Sequence, residues 1–339
     1  MRILGIESSC DETAVAIVEN GQTILSNVVV SQIDIFAAYG GVIPEIAARS
    51  HLEAILPAIH QAFQEANLKT DSNQDDWSKI DAIAVTHTPG LLGSLLVGTL
   101  TARTIAILQH KPLYAVHHLK SHIYANWLQN QTEPSFPLIA LIISGGHTQI
   151  VKMSAHQQFE IIGTTRDDAV GECFDKVAKI LGLLYPGGPS ITKAAANGDP
   201  THYTFPHPMS GSLDFSFSGL KTAVLREVQK AVNQPISFPS SKLAELLNPQ
   251  QKADFAASFE QTATEKIKLA LKQNPETKTL IIAGGVSANQ RLRHDLTKFI
   301  EQQNSKLSTK IKLFFPEPHF SGDNGAMVAS AAYYEILSN

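Results

Sequence analysis

Cysteine is scarce in this 339-residue chain, which contains only Cys10 and Cys173. The two lie far apart in the sequence, so no disulfide framework of the kind found in small secreted domains is expected. No uncharged apolar stretch approaches the roughly 18 residues that span a bilayer, because Arg103 interrupts the helix-like run after Leu91. The first residues also lack the apolar centre and cleavage site of a secretory signal. We therefore expect a cytoplasmic protein without a membrane segment.

A strong surplus of charge is also missing. The formal net charge is −4, so the chain as a whole does not attract nucleic acid, and an RNA partner would be held by a local basic patch or by other subunits. Lys306, Lys310 and Lys312 fit either such a patch or an ordinary solvated face. The composition lacks the bias of disordered or fibrous chains, and a globular chain of this length is expected to form two domains or lobes.

Apolar runs and turn residues predict the same supersecondary unit twice. The first copy has strands at about 3–7, 13–19, 23–30 and 82–85, with a helix from Pro44 to about Leu68 and another after Gly90. The second copy has strands at about 138–143, 148–153, 159–163 and 279–283, with helices after Val170 and from about Ala288. This repeated order, βββαβα, favours two similar lobes.

The expected lobes cover residues 1–130 and 131–323, and a C-terminal helix at about 324–339 is expected to pack back on the first lobe. A long polar insertion is expected at about 187–249, and it includes FPHPMSGSLDFSFSGLKTA. Loops of this length are usually functional or disordered rather than simple connectors. We therefore interpret the segment as lining a site.

His118 and His122, in HHLKSHIYA, are four residues apart, so both imidazoles face one side if the segment is helical. Such a pair can share a metal ion, although it more often consists of two surface or capped histidines. Leu119 stands where the zinc-protease helix has its general-base glutamate, which disfavours a metalloprotease. Two histidines and a carboxylate would suit Fe(II) or Zn(II). Asp323 is a candidate third ligand, although an aspartate at such a place is more often a turn or N-cap residue.

Glycine-containing turns after apolar strands suggest a nucleotide site. The segment Ser144 to Thr148, SGGHT, could surround a phosphate with backbone N–H groups or form a tight hairpin. Gly284 and Gly285 follow a strand and precede a helix, where a nucleotide could bind. Asp175 could reach ribose hydroxyls, or the acids around it could cap a helix.

Asp11 and Glu12 occupy the corresponding turn of the first copy. Carboxylates at this position could orient a cation-bound water or a nucleophile. They could equally be solvated turn residues, and the sequence alone does not decide between the two.

Ten motifs in order make the chain resemble the TsaD family, once described as glycoproteases. They cover nearly the whole chain and are ESSCDET from Glu7, GGVIPEIAARSH from Gly40, TPGLLGSLLVG from Thr88, HLKSH from His118, SGGHTQ from Ser144, DDAVGECFDK from Asp167, YPGGP from Tyr185, FSFSGLKTA from Phe215, GGVSAN from Gly284 and SGDNGAM from Ser321.

The resemblance implies the α/β fold of actin, Hsp70 and sugar kinases (ASKHA), with duplicated RNase H-like βββαβα units and a central nucleotide cleft. It also implies transfer of a threonylcarbamoyl group from threonylcarbamoyl-AMP to the N6 amine of the adenosine just 3′ of the anticodon, in tRNAs that read codons beginning with A. A non-catalytic scaffold subunit is an alternative, against which the intact histidine pair argues. An O-carbamoyltransferase or small-molecule kinase is another, because fold does not specify substrate.

Site residues follow from the same resemblance. His118, His122 and Asp323 resemble the family's ligands for one divalent metal per subunit, with Fe2+ favoured over Zn2+. Asp11 and Glu12 resemble acids of the cleft and are predicted to be catalytic. The positions that resemble those binding threonylcarbamoyl-AMP or another adenine nucleotide such as ATP are Leu141, Ile142, Ile143, Ser144, Gly145, Asp175, Gly188 and Asn289.

The implied partners are the tRNA anticodon loop, a TsaB-like paralogue, a TsaE-like ATPase and a TsaC-type synthase that supplies the adenylate. Two departures from the family pattern stand out. Leu119, Lys120 and Ser121 replace the common Met-Glu-Gly between the histidines, which leaves the metal's identity and affinity open. Cys173 replaces a common alanine and is interpreted as a small packed residue.

Overall fold

The structure is a computed structural model, and it describes residues 1–37, 39, 41–129, 132–206, 209, 211–274, 276–305 and 310–338. Lys306, Gly40 and three residues of the expected insertion, His207, Pro208 and Ser210, lie outside the described residues. By its internal contacts the chain forms two compact units, Met1–Pro134 together with Pro316–Asn339, and Ser135–Phe315.

The first unit is built on a five-stranded sheet with the order β3-β2-β1-β4-β5. Its strands are β1 (Arg2–Glu7), β2 (Glu12–Glu19), β3 (Thr23–Ser31), β4 (Ala82–Thr88) and β5 (Leu113–His117). β1, β2 and β3 pair antiparallel, whereas β4 pairs parallel with both β1 and β5. Its helices are α1 (Ile33–Ala37), α2 (Pro44–Glu65), α3 (Leu92–Leu108), α4 (His118–Tyr124) and α10 (Gly325–Ser338).

Two glycines let α10 lie directly on this sheet. A Cβ atom added at Gly5, in β1, would lie 2.2 Å from the carbonyl oxygen of Gly325. A Cβ atom added at Gly325 would lie 2.5 Å from the backbone nitrogen of Ala16, in β2. The backbone of α10 therefore contacts the backbone of the two strands, and Asp323, two residues before the helix, is held beside them.

The second unit repeats this topology, with the sheet order β10-β9-β6-β7-β8. Its strands are β6 (Leu138–Ile143), β7 (Thr148–Ala155), β8 (Gln158–Thr164), β9 (Thr279–Ala283) and β10 (Lys312–Phe314). β6, β7 and β8 pair antiparallel, and β9 pairs parallel with β6 and β10. Its helices are α5 (Val170–Leu181), α6 (Gly187–Ala195), α7 (Ser218–Ala231), α8 (Pro249–Gln273) and α9 (Gln290–Asn304). The predicted repetition of one βββαβα unit is confirmed.

The expected long insertion at 187–249 is not a loop throughout, and that prediction is corrected. It contains α6, α7 and a 3-10 helix at Ser240–Glu245. Leu220, Val224 and Val228 follow one another at intervals of four residues and are all buried, which is the apolar stripe of an amphipathic helix. Among the described residues, no helix is long and apolar enough to cross a membrane.

Candidate functional site

Two histidines and an aspartate form a cluster in the first unit. His118 and His122 lie one turn apart on α4, as their spacing predicts, and are 6% and 1% exposed. The Oδ1 atom of Asp323 is 3.1 Å from Nε2 of His122 and 3.7 Å from Nε2 of His118. One donor atom from each of the three residues lies within 4.8 Å of the other two. This cluster could hold a metal ion.

The surroundings of His122 fit a bound cation. Its ring is buried, and among the residues that the structure describes Nδ1 has no hydrogen-bond partner, whereas Nε2 faces Oδ1 of Asp323 at 3.1 Å without the geometry of a hydrogen bond. A buried polar atom without a partner is unfavourable by roughly 1–3 kcal/mol. Coordination of a metal would satisfy one of these nitrogens, and two imidazoles with a carboxylate are a ligand set suited to iron or zinc.

Glu7, the last residue of β1, contacts the other side of His118. Its side chain is fully buried, and its Oε2 atom is 3.1 Å from Nδ1 of His118. Burial alone would raise the pKa of Glu7, but the charge of His118 and the hydrogen bonds from His118 and Thr86 hold this pKa below its ordinary value. Our sequence analysis missed this residue. A carboxylate at the end of an otherwise apolar strand was the available signal.

Asp11 lies in the turn from β1 to β2, Glu12 is the first residue of β2, and both are partly exposed. Burial, followed by the charges of Asp323 and Asp11, raises the pKa of Glu12 to about 10. Burial and the charges of Asp11 and Asp323 also raise the pKa of the Cys10 thiol. The structure thus brings Glu12 close enough to Asp323 to feel its charge, and a cation would relieve this crowding of carboxylates.

His51, on α2, braces the same turn and was also missed. It is fully buried, with Nε2 3.1 Å from the carbonyl oxygen of Cys10 and Nδ1 2.7 Å from Oγ1 of Thr13. Because a carbonyl only accepts hydrogen bonds, Nε2–H donates to Cys10 and Nδ1 accepts from the Thr13 hydroxyl. Burial lowers the pKa of His51, which is consistent with a neutral ring.

A cavity in the second unit gathers three of the residues predicted to bind nucleotide. Leu141, Ile143 and Asn289 line it, and its cavity volume is about 30 Å³. Ile142 points to the other face of β6, because side chains alternate along a strand. Phe215 and Phe217, from the segment interpreted as lining a site, also line this cavity, as does Glu260.

Ser144 and Gly145 form the turn between β6 and β7. The N–H of Ser144 donates to the carbonyl of His147, as in a tight hairpin. The carbonyls of Ser144 and Gly145 accept from the N–H groups of Gly171 and Glu172, in the first turn of α5. Those two helix donors are therefore already used. A Cβ atom at Gly145 would meet no heavy atom within 4 Å, so a ligand could approach the backbone here.

Asp175 and Gly188 lie together where α5 meets α6. The Oδ1 atom of Asp175 accepts a hydrogen bond of 2.6 Å from the N–H of Gly187. Burial raises the pKa of Asp175, although the bond from Gly187 opposes the shift. A Cβ atom at Gly188 would meet no heavy atom within 4 Å, so this end of α6 has open space beside a carboxylate.

Asn289 caps α9 and is held by protein groups. Its Oδ1 accepts from the N–H of Leu292 at 2.8 Å. Its Nδ2 donates to Oγ1 of Thr192 at 2.9 Å and to Oε1 of Glu260 at 2.5 Å. Glu260 is buried and was not predicted. One acidic residue among several in a long helix gave no signal in the sequence.

Comparison with known proteins identifies the family. The sequence model of TsaD, tRNA N6-adenosine threonylcarbamoyltransferase, matches residues 23–330. The chain belongs to the TsaD family. A relative of that name from Symbiobacterium thermophilum is 48% identical over 98% of this chain and 91% of its own length. Another, from Gloeothece citriformis, is 46% identical over 97% of this chain and 90% of its own length.

Solved structures agree on the fold. HypF from T. kodakarensis matches 99% of this chain over 48% of its own, with a TM-score of 0.64 and 15% identity. Component A of (R)-2-hydroxyglutaryl-CoA dehydratase from Acidaminococcus fermentans matches over the whole of both chains, with a TM-score of 0.53 and 13% identity. These similarities confirm the predicted actin, Hsp70 and sugar-kinase fold class; at 13–15% identity they show the fold alone.

The structure accommodates both departures from the common TsaD pattern by burial and hydrogen bonding. Leu119, between the two histidines, is buried, and the Ser121 hydroxyl donates to the carbonyl of His117. Cys173 is fully buried, and its thiol donates to the carbonyl of Phe217 at 3.4 Å. Burial raises the pKa of this thiol to about 12. Cys173 is therefore a packed, unreactive residue, as interpreted.

Proposed function

We propose that this protein forms threonylcarbamoyladenosine in tRNA, by transferring a threonylcarbamoyl group to the N6 amine of the adenosine just 3′ of the anticodon. The observation that carries this proposal is the TsaD match over residues 23–330. Relatives of the same name, 44–48% identical over 98% of the chain, support it. The tRNAs concerned read codons that begin with A.

The proposed donor is threonylcarbamoyl-AMP. The adenine N6 attacks the carbonyl carbon of the donor, a C–N bond forms, the bond from this carbon to the phosphate oxygen breaks, and AMP leaves as the amine loses a proton. An aromatic amine is a weak nucleophile, so positioning and electrostatic stabilisation must supply most of the acceleration. The base must also leave its stack in the anticodon loop.

The adenylate is proposed to bind in the second unit, and ATP would fit the same contacts. The cavity beside Leu141, Ile143 and Asn289 supports this proposal through its aromatic and apolar lining. The open backbone at Gly145 and Gly188 supports it further. Asp175 is proposed to accept hydrogen bonds from the ribose hydroxyls.

The proposed metal is Fe2+, with Zn2+ as the second choice, one ion per subunit, held by His118, His122 and Asp323. Such an ion, when bound, would act as a Lewis acid and polarise an oxygen of the bound donor. Asp11 and Glu12 are proposed to orient the reacting groups beside this centre. The proximity of Glu12 to Asp323, expressed in the raised pKa of Glu12, supports that role.

The proposed protein partner is a TsaB-like paralogue, which docks on the apolar surface of α2 and α3. Leu52 and Leu56 on α2, and Leu92, Leu96 and Leu100 on α3, are spaced four residues apart and are 48–76% exposed. The two helices touch where Gly93 meets Ala48. Exposed apolar patches of this kind mark protein interfaces.

A TsaE-like ATPase and a TsaC-type synthase are proposed to complete the cytoplasmic system. The net charge of −4 supports shared tRNA binding. Because the work is shared, the isolated chain is expected to be weakly active with threonine, bicarbonate, ATP and tRNA, and full activity without any partner would contradict this arrangement.

The test is the amount of threonylcarbamoyladenosine in tRNA from cells depleted of this protein, measured by mass spectrometry. Complementation uses the wild type or the double variant His118→Ala with His122→Ala. Restoration by the wild type alone is expected. Restoration by both proteins would make the chain a scaffold, and an unchanged level of the nucleoside after depletion would point to another substrate.

A further inference from the structure

Glu7 is a buried carboxylate whose contacts converge on one metal-ligand candidate. Its side chain is 0% exposed. Its Oε1 atom accepts from the N–H of Ser9 at 2.6 Å, and its Oε2 atom accepts from the Thr86 hydroxyl at 2.5 Å. The remaining contact is Nδ1 of His118, at 3.1 Å from Oε2. A carboxylate is kept in such a place only when hydrogen bonds or an opposite charge compensate for the loss of water.

This contact assigns different tasks to the two nitrogens of His118. Nδ1 lies 3.1 Å from Oε2 of Glu7 and 3.2 Å from Oγ of Ser9. An ionised carboxylate only accepts hydrogen bonds, whereas a hydroxyl can donate or accept, so the contact with Glu7 is the one that requires a hydrogen on Nδ1. The other nitrogen, Nε2, faces Asp323 at 3.7 Å. When Nδ1–H is fixed by a carboxylate, the lone pair of Nε2 is free for a metal and becomes more basic.

We propose that Glu7 is a positioning residue of the metal centre, which fixes the tautomer and the ring orientation of His118. The inference rests on the proposed function, because it presupposes a cation at His118, His122 and Asp323. The geometry makes the centre asymmetric. Nδ1 of His122 has no hydrogen-bond partner among the described residues, so the carboxylate acts on one of the two imidazoles.

The experiment is a Co2+ titration of the metal-free, full-length protein, followed by visible absorption. Glu7→Gln keeps the volume of the side chain but places an amide against His118, which favours the wrong tautomer. Loss of such a carboxylate behind a ligating histidine weakens metal binding by roughly 10–100-fold. We expect a loss of that size for Glu7→Gln.

Thr86→Val is the matched control. It removes another hydrogen bond to the same Oε2 atom, keeps a β-branched side chain and leaves the contact between Glu7 and His118 in place. We expect its Co2+ affinity to stay close to that of the wild type. Equal losses in both variants, or no loss in Glu7→Gln, would overturn the inference, since Glu7 would then only hold β1 and β4 in place.

Wild-type protein that binds no Co2+ would instead overturn the proposed metal centre itself. If Glu7→Gln fails to fold, the wild type alone provides the test. In protein loaded with Zn2+ and labelled with 15N at histidine, we expect His118 to coordinate through Nε2 with a hydrogen on Nδ1. The signals are assigned by comparison with His118→Ala. Coordination through Nδ1 would refute the inference.

Discussion

Replacing Gly325 by alanine is expected to damage both the stability of the first unit and its candidate metal site. The new Cβ atom would lie 2.5 Å from the nitrogen of Ala16 and 2.8 Å from the carbonyl oxygen of Gly5, whereas ordinary contact begins at 3.4 Å. To relieve the closest contact, α10 must retreat from the sheet by about 0.9 Å. Overpacking of this kind typically costs about 1–3 kcal/mol of unfolding free energy.

The displacement also reaches the candidate metal ligands. Asp323 is two residues before Gly325, and its carboxylate is 3.1 Å from Nε2 of His122. Functional groups must be held to within about 0.5 Å of their working geometry, so a shift of the start of α10 exceeds the tolerance. We expect weaker Co2+ binding together with a lower midpoint of urea unfolding.

Gly322→Ala is the matched control, because it lies in the same SGDNG segment and an added Cβ there meets no heavy atom within 4 Å. This variant is expected to unfold and to bind Co2+ like the wild type. The reasoning is refuted if Gly325→Ala is as stable as Gly322→Ala. It is refuted in part if Gly325→Ala loses stability but binds Co2+ unchanged, because α10 would then not position Asp323.

Three further predictions concern other parts of the molecule. Glu260→Leu should lower the free energy of unfolding by about 1–3 kcal/mol, because it removes the carboxylate that accepts hydrogen bonds from both the Asn289 amide and the Thr192 hydroxyl. Glu260→Gln, which keeps an acceptor oxygen, should stay near the wild type in the same urea titration. Burial opposes ionisation of Asp167, but hydrogen bonds from two serines and two backbone N–H groups lower its pKa to about 2. The stabilisation from this ionised group is therefore complete above its ordinary pKa and is lost as the pH falls toward 2. Between the ordinary pKa of an aspartate and pH 2, the melting temperature of Asp167→Asn should depend less on pH than that of the wild type. The same pH profile in both proteins would contradict the lowered pKa of Asp167. Leu56→Asp and Leu96→Asp should leave the melting temperature nearly unchanged and weaken association with the paralogue by at least about tenfold in calorimetry, whereas wild-type affinity in both would place the interface elsewhere.

Local patterns carried most of the fold prediction. The strands predicted at 138–143 and 279–283 have the observed bounds. In both, glycine or proline beside a continuous apolar run marks where the strand begins or ends. The helices α6 and α7 were missed, because the proline, glycine and aromatic residues around them resemble a loop. The three-residue strand β10 has no pattern of its own, since it is defined by pairing with β9.

In the candidate site too, local sequence patterns predicted some features, whereas others depend on tertiary packing. The pairing of His118 and His122 followed from helical spacing alone. The proximity of Asp323 depends on the docking of α10, so the resemblance to a family suggested it and the residues themselves did not. Glu7 was missed because its burial results from the packing of β4 and α4 around it. The assignment of nucleotide-binding residues in the second unit stays a prediction.

The second unit interrupts the first, and this affects the order of events during synthesis. Residues 135–315 leave the ribosome before Asp323 and α10 do, so the second unit has its whole sequence available while the first lacks an element. Until α10 arrives, the nascent chain exposes the apolar face of β1 and β2 that this helix covers. Domains generally fold in the order in which they emerge, but here the later unit can finish first. Chaperones that bind exposed apolar strands would find their target in the N-terminal sheet. The three candidate metal ligands come together only after α10 has been synthesised.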